Sequence, residues 1–165
     1  AALLVAGFLS LPYITLWQIQ TAVKAHDDKA LAQHVNFPSV RQSLKNQIQA
    51  SFEKELGAEA KDNPFAALGM AFGGMIINKM LEAYVTPEGL SQLMLGQDPE
   101  KPRPAKIYGK TEQQQPLKNA KLEYVSLSEF NVTVSHKQSD ETITFILRRE
   151  GLSWQLSEVL LPIDF

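Results

Sequence analysis

Phe130-Asn131-Val132-Thr133-Val134, Ile143-Thr144-Phe145-Ile146-Leu147 and Leu152-Ser153-Trp154-Gln155-Leu156 follow one another near the C-terminus, and their reading decides the fold. Phe130, Val132 and Val134 alternate with other residues, as do Ile143, Phe145 and Leu147, then Leu152, Trp154 and Leu156. A period of two is that of a strand with one face on a core. Turn-forming residues separate the runs at Gln138-Ser139-Asp140 and at Glu150-Gly151. Residues 121–127 supply a fourth strand, and Ile107-Tyr108 a short edge strand. Strands joined by such short turns pair antiparallel, because a parallel return needs a long crossover. The C-terminal half is therefore a four-stranded meander.

Upstream the period lengthens. Pro12, Pro38, Pro64 and Pro87 each stand where a helix opens, the position at which a missing N–H costs no intrahelical bond. The first helix is expected from Pro12 to about Ala25, packing Tyr13, Leu16, Ile19 and Val23. Asp27 or Asp28 caps a short second one through about His34. The third runs from Pro38 with a stripe of Val40, Leu44, Ile48, Phe52 and Leu56, and Gly57 ends it. The fourth, from Asn63-Pro64, carries Phe65, Leu68, Phe72, Met75, Ile76 and Met80; apolar on most sides, it is expected at the centre. The fifth opens at Thr86-Pro87 and bears Leu90, Leu93 and Met94. Pro99, Pro102 and Pro104 mark a linker.

Helices first and a meander after give an α+β fold, with N-terminal helices packed on a C-terminal four-stranded antiparallel meander. A curved sheet around a helix, as in the NTF2-like or cystatin-like folds, is one arrangement of this kind. The expected organisation is a helical half over 12–96, a linker over 97–106 and a strand half over 107–165, together one domain over 12–165.

Residues 1–11 read differently. The first charge in the chain is Lys24, and Ala1-Ala2-Leu3-Leu4-Val5-Ala6-Gly7-Phe8-Leu9 resembles the apolar part of a signal peptide or membrane anchor. Counting on to Ile19 approaches the roughly 20 apolar residues of a bilayer span, although Pro12 and Gln18 interrupt it. Residues 1–11 are therefore taken as a remnant of a signal peptide or anchor. The overlapping alternative is an ordinary buried first helix.

Bulk composition narrows the function classes. A chain of 165 residues, 44% hydrophobic and 21% charged, has the makings of one folded domain. A net charge of −2 offers no general attraction to nucleic acid. The absence of cysteine removes disulfides, thiol nucleophiles and thiolate metal sites. His26 and His34 lack the i, i+4 spacing of a helical metal pair, no nucleophile elbow occurs, and Gly69-x-x-x-Gly73 without a Lys-Ser/Thr pair is no phosphate loop. That glycine pair suggests close packing against another helix. Lys101, Arg103, Lys106, Lys110, Lys118 and Lys121 form a basic run across the linker and first strand, which reads as solvated or as facing phospholipid headgroups or an acidic partner. No catalytic residue, metal or cofactor is assigned.

The most distinctive local pattern is His34-Val35-Asn36-Phe37-Pro38-Ser39-Val40-Arg41, an extended step between helices with an Arg one turn in. The guanidinium of Arg41 suits a carboxylate or phosphate, or ties the corner to a carbonyl. Phe37, Arg41, Phe72, Met75 and Trp154 are the candidate ligand- or partner-binding residues.

Pro12-Tyr13, Ala22-Val23, Asp27-Asp28, the run from Val35 through Lys45, and Val85-Thr86-Pro87-Glu88-Gly89-Leu90 together resemble the bacterial domain of unknown function 2939 family. Asn36 replaces that family's usual Asp. The resemblance implies an N-terminal hydrophobic segment and supplies no activity. The resulting expectation is a non-enzymatic module, periplasmic or anchored in the inner membrane of a bacterium. Its partner would be a lipid, an apolar small molecule or an envelope protein, and a continuous apolar cavity between helices and sheet would mark the ligand version. The competing expectation is an enzyme assembled from distant residues, with His34, Arg41 and His136 converging; a purely structural envelope component is the third.

Overall fold

A computed structural model describes residues 2–56, 64–95, 117, 119–135 and 142–162. Within them run α1 (Ala2–Ala25), α2 (Asp28–Gln33), α3 (Phe37–Leu56), α4 (Pro64–Tyr84) and α5 (Pro87–Met94), followed by β1 (Lys121–Ser126), β2 (Glu129–Ser135), β3 (Thr142–Glu150) and β4 (Ser153–Leu160). The strands form one antiparallel sheet in the order β1-β2-β3-β4, so the architecture is α+β with a meander. The 97–106 linker, the Ile107-Tyr108 edge strand, the turn at Gln138-Ser139-Asp140 and the cap at Gly57 lie outside the described residues, as do five of the six basic residues.

Phe130, Val132, Phe145, Leu147, Trp154, Leu156 and Val159 are buried in one hydrophobic cluster with Leu16, Ile19 and Val23 of α1. The alternation read from the sequence holds through Leu156 except at Leu152, which lies in the β3–β4 turn and is exposed, and then changes phase. Leu147 pairs with Leu156 while Ile146 pairs with Glu158, leaving Ser157 as an extra residue. This bulge turns Val159, rather than Glu158, into the core. On the opposite face Arg148 bridges Glu129 at 2.9 Å and Glu158 at 2.7 Å, tying three strands together.

The first helix departs from expectation. It does not open at Pro12 but runs continuously from Ala2, with Pro12 inside it and buried. Proline removes the N–H that would bond the Phe8 carbonyl, and side chains bind the carbonyls on either side of it. Ser10 Oγ donates to the Gly7 carbonyl at 2.7 Å, and the Tyr124 hydroxyl to that of Leu9 at 2.8 Å. Tyr13 is half-exposed, its ring edge-on to Phe130 at 4.9 Å. The far end closes with Asp27 N–H on the Ala22 carbonyl and His26 N–H on that of Val23, His26 standing at φ 52°, which is a Schellman stop with histidine where glycine is usual.

Packing against β4 fixes the other helices. Residues 34–36 run beside it: Asn36 N–H donates to the Leu156 carbonyl at 2.8 Å, Leu156 N–H to that of His34 at 2.9 Å, and Val35 forms a parallel bridge with Leu156. Further along, the Gln47 side chain donates to the Val159 carbonyl at 2.7 Å and accepts from Leu161 N–H at 3.0 Å. The open edge of the sheet is thus covered by a short extended step and by α3.

Over residues 72–84, the part of α4 whose side chains are described, the expectation of a central fourth helix is overturned. Ile77 and Leu81 of α4 are buried, but Phe72, Met75, Ile76 and Met80 face outward. A Cβ added at Gly73 would meet nothing within 4 Å, so no close helix contact is made there among the described residues. In α3 the stripe fades outward too: Val40 and Leu44 are buried, Ile48 partly so, and Phe52 is exposed. Both departures have the same cause: periodicity registers an apolar face but not whether anything stands opposite it.

Candidate functional site

The corner between α2 and α3 is built from short-range demands. Asn36 caps α3, its Oδ1 accepting from Ser39 N–H at 3.2 Å. Phe37, the first residue of α3, packs half-buried against the core. One turn in, Arg41 reaches across the molecule and donates from Nη2 to the Val85 carbonyl at 3.0 Å. Its Nε is buried without a partner among the described residues. Val85 opens a second tight corner. Thr86 Oγ1 caps α5 by accepting from Gly89 N–H at 3.1 Å, and a Cβ on Gly89 would overlap the Tyr84 carbonyl oxygen. Only glycine fits there because of that close approach.

The five candidate residues do not form one site. Arg41 serves the corner-to-corner bond. Trp154 is 2% exposed, its ring edge-on to Tyr124 at 6.1 Å. Phe72 and Met75, 60% and 61% exposed, lie on the outer side of α4. His34 caps the end of α2, its N–H on the Leu31 carbonyl, and burial lowers its pKa. His136 lies outside the described residues. Among the described residues no group of three His, Cys, Asp or Glu could hold a metal.

A cleft of about 600 Å³ runs between α3 and the β3–β4 edge, lined by residues that include Gln42, Asn46, Gln47, Arg148 and Glu158. Its size suits a ligand, but the side chains around it are of polar type apart from Leu160, and it opens at the surface rather than forming the apolar cavity expected between helices and sheet. Its polar groups also engage one another: Gln42 donates to Asn46 at 2.8 Å, and Arg148 holds its two carboxylates. Hydrogen bonding to Glu158, before any other cause, raises the Arg148 pKa and keeps it charged.

The family described as protein of unknown function (DUF2939) matches residues 1–93, more than half of the 165. The chain belongs to DUF2939. No curated protein and no solved structure matches it. The DUF2939 match spans α1 through α4 and nearly all of α5, and stops short of the sheet. Two of the stretches that carry the resemblance, around Val35–Lys45 and around Val85–Leu90, are the ones that the Arg41–Val85 bond joins. Asn36, in place of the usual Asp, keeps the capping role that either residue fills.

Sequence reasoning missed several residues that matter in this DUF2939 chain. Gln47 gave no signal, since a glutamine on a helix surface usually looks solvated. Leu127 and Leu152, expected within strands, stand instead at turn positions, where polar residues are the rule, at 66% and 79% exposure.

Proposed function

We propose that this DUF2939 chain is a non-enzymatic envelope module that associates with a phospholipid membrane through α1. The observation that supports it is the division of labour along that helix. Residues 1–23 are uncharged; Leu16, Ile19 and Val23 enter the core, while Leu9, Tyr13, Ile14 and Trp17 remain exposed. Among the described residues no helix is long and apolar enough to cross a membrane, and the residues α1 gives to the core are unavailable to lipid. The association is therefore peripheral over the described part of the helix. Such surfaces bind in proportion to the apolar area they bury, aided by anionic headgroups. Flotation of the purified chain with phosphatidylcholine–phosphatidylglycerol vesicles tests the proposal: protein recovered with the vesicles is expected, and protein left at the bottom of the gradient would refute it.

A specific observation favours a second reading. Phe72, Ile76 and Met80, spaced by four, form an exposed apolar ridge on α4, the pattern of a helix that docks a protein partner.

A further inference from the structure

A meander of four strands places its first and third turns at one end of the sheet. Here those turns are residues 127–128 and 151–152, and Arg149 N–H donates across to the Ser128 carbonyl at 3.0 Å, holding the two tips side by side. Each tip offers a leucine to solvent, Leu127 in one and Leu152 in the other. Leu152 follows Gly151, whose φ of 64° makes the turn. A leucine is not required by the backbone geometry of either turn.

The same end receives the start of α1. The Arg149 guanidinium lies 4.8 Å from the centroid of the Phe8 ring, the Tyr124 hydroxyl holds the Leu9 carbonyl, and Tyr13 meets Phe130 deeper in. From Tyr13 back to Phe8 the helix rises by about 7 Å at 1.5 Å per residue. From Phe130, paired with Leu147, out to Arg149 the strand also rises by about 7 Å. The helix therefore runs roughly along the strands with its N-terminus toward the tips. Beyond Phe8 the six residues 2–7 extend α1 by about 9 Å. Beyond Arg149 the β3–β4 turn reaches up to about 7 Å, because Ser153 already pairs back with Glu150 and Leu152 stands one residue beyond that pair. Leu127 stands lower, near the level of Phe8. Residues 2–7 of α1 and the Leu152 tip thus span similar heights, and no residue from 1 to 23 brings a charge.

One cation is placed at this rim. Among the described residues Arg149 has no carboxylate partner, in contrast to Arg148 with two. Its guanidinium rests on an aromatic face, an arrangement that leaves its N–H groups free for an anion. Exposed Glu150 beside it is the opposing charge.

From this juxtaposition we infer that the end formed by the start of α1 and the Leu127 and Leu152 tips is the face that docks on an anionic phospholipid surface, with Leu152 entering the acyl boundary and Arg149 at the level of the phosphates. This rests on the membrane association proposed above and adds its orientation. The flank of α1 carrying Ile14 and Trp17 is the competing face. It is bordered by Gln18 and Thr21, and its one cation, Lys24, stands a turn beyond Thr21 at the opposite end of the helix from Phe8.

The chain contains no cysteine, so single-cysteine variants Leu152→Cys, Leu127→Cys, Trp17→Cys and Lys24→Cys of the full chain can each carry one environment-sensitive fluorophore. Vesicles of phosphatidylcholine and phosphatidylglycerol, with and without acyl-chain quenchers, are then added. The expected result is a blue shift and quenching at position 152, a smaller response at 127, and none at 24. If the chain floats with vesicles but 152 stays aqueous while 17 responds, the orientation is overturned and membrane association stands. If the chain does not float, both fall. A blue shift at 152 before lipid is added would mean that a second copy covers the tips, which also overturns the orientation. Leu152→Ser with Leu127→Ser, both on exposed turns, is expected to weaken vesicle partitioning by about tenfold or more, with an unchanged circular dichroism spectrum; unchanged partitioning would count against the tips.

Discussion

Asn36 sits where a helix opens straight out of an extended step, and its side chain does what that junction demands. An amide or carboxylate oxygen can accept from Ser39 N–H equally well, and a carboxylate adds attraction to the positive end of the helix. Asn36→Asp is therefore expected to hold or slightly raise stability, whereas Asn36→Ala should cost about 1 kcal/mol; urea denaturation of the two variants measures both. Two residues earlier, His34 contributes a pH dependence. Burial disfavours its charged form, so the unfolded chain binds a proton more readily than the native one. The stability held in neutral His34 is complete above the ordinary value of 6.5 and is lost as the pH falls from there toward the lowered native pKa. Lowering the pH through this range should decrease the denaturation midpoint, and His34→Gln should flatten that part of the decrease.

At the scale of elements, β4 is the strand on which the rest is hung. Its N-terminal part takes the 34–36 step as a neighbour, and its C-terminal part takes the Gln47 amide, which stands in for a peptide group by offering one donor and one acceptor. Gln47→Glu keeps the shape and loses the donor, setting an acceptor against the Val159 carbonyl. It should cost about 1–3 kcal/mol and more than Gln47→Ala; equal stability of Gln47→Glu and the parent chain by urea denaturation would show that the bond carries no weight. These contacts also mark what the sequence could and could not convey. The strands were legible because Phe130, Val132, Phe145 and Leu147 follow a period set by backbone geometry. The cap at Asp27 and the helix start at Thr86 were legible because their partners lie within three residues; Asn36 was read only as part of an extended step, and its capping of Ser39 N–H went unread. Gln47 with Leu161, Arg41 with Val85 and Tyr124 with Leu9 were not, since each joins residues far apart and nothing local announces the partner. The bulge at Ser157 was hidden for a related reason: the register is decided by two strands and read from one. Pro12 misled because its helical neighbours on both sides outweigh the bond it removes.

Over the whole molecule, the polar and apolar features sort to different places. Arg148, Glu129 and Glu158 occupy the outer face of the sheet, the aromatic set of Tyr13, Tyr124, Phe130 and Trp154 the inner one, and exposed leucines the tips of two hairpins. The candidate residues chosen from the sequence scatter across these regions because each was selected for its own chemistry. Arg41 and Trp154 serve the packing, while Phe72 and Met75 remain on a surface. What reads as a distributed weakness in a search for a catalytic centre is coherent for a body that meets another surface, since such contact uses area and orientation rather than convergent groups.

The Val35 bridge and the Gln47 clamp carry a consequence for the order of events during synthesis. Residues 34–47 leave the ribosome more than a hundred residues before their partners at 156–161. Until those arrive, α1 has no Phe130 or Val159 to cover Leu16 and Ile19, and α3 has no strand to lie against. Contacts this distant in sequence make for slow closure. The stretch that the family match covers, residues 1–93, is accordingly expected not to hold its tertiary packing alone, since the partners of its 34–47 segment lie in the sheet.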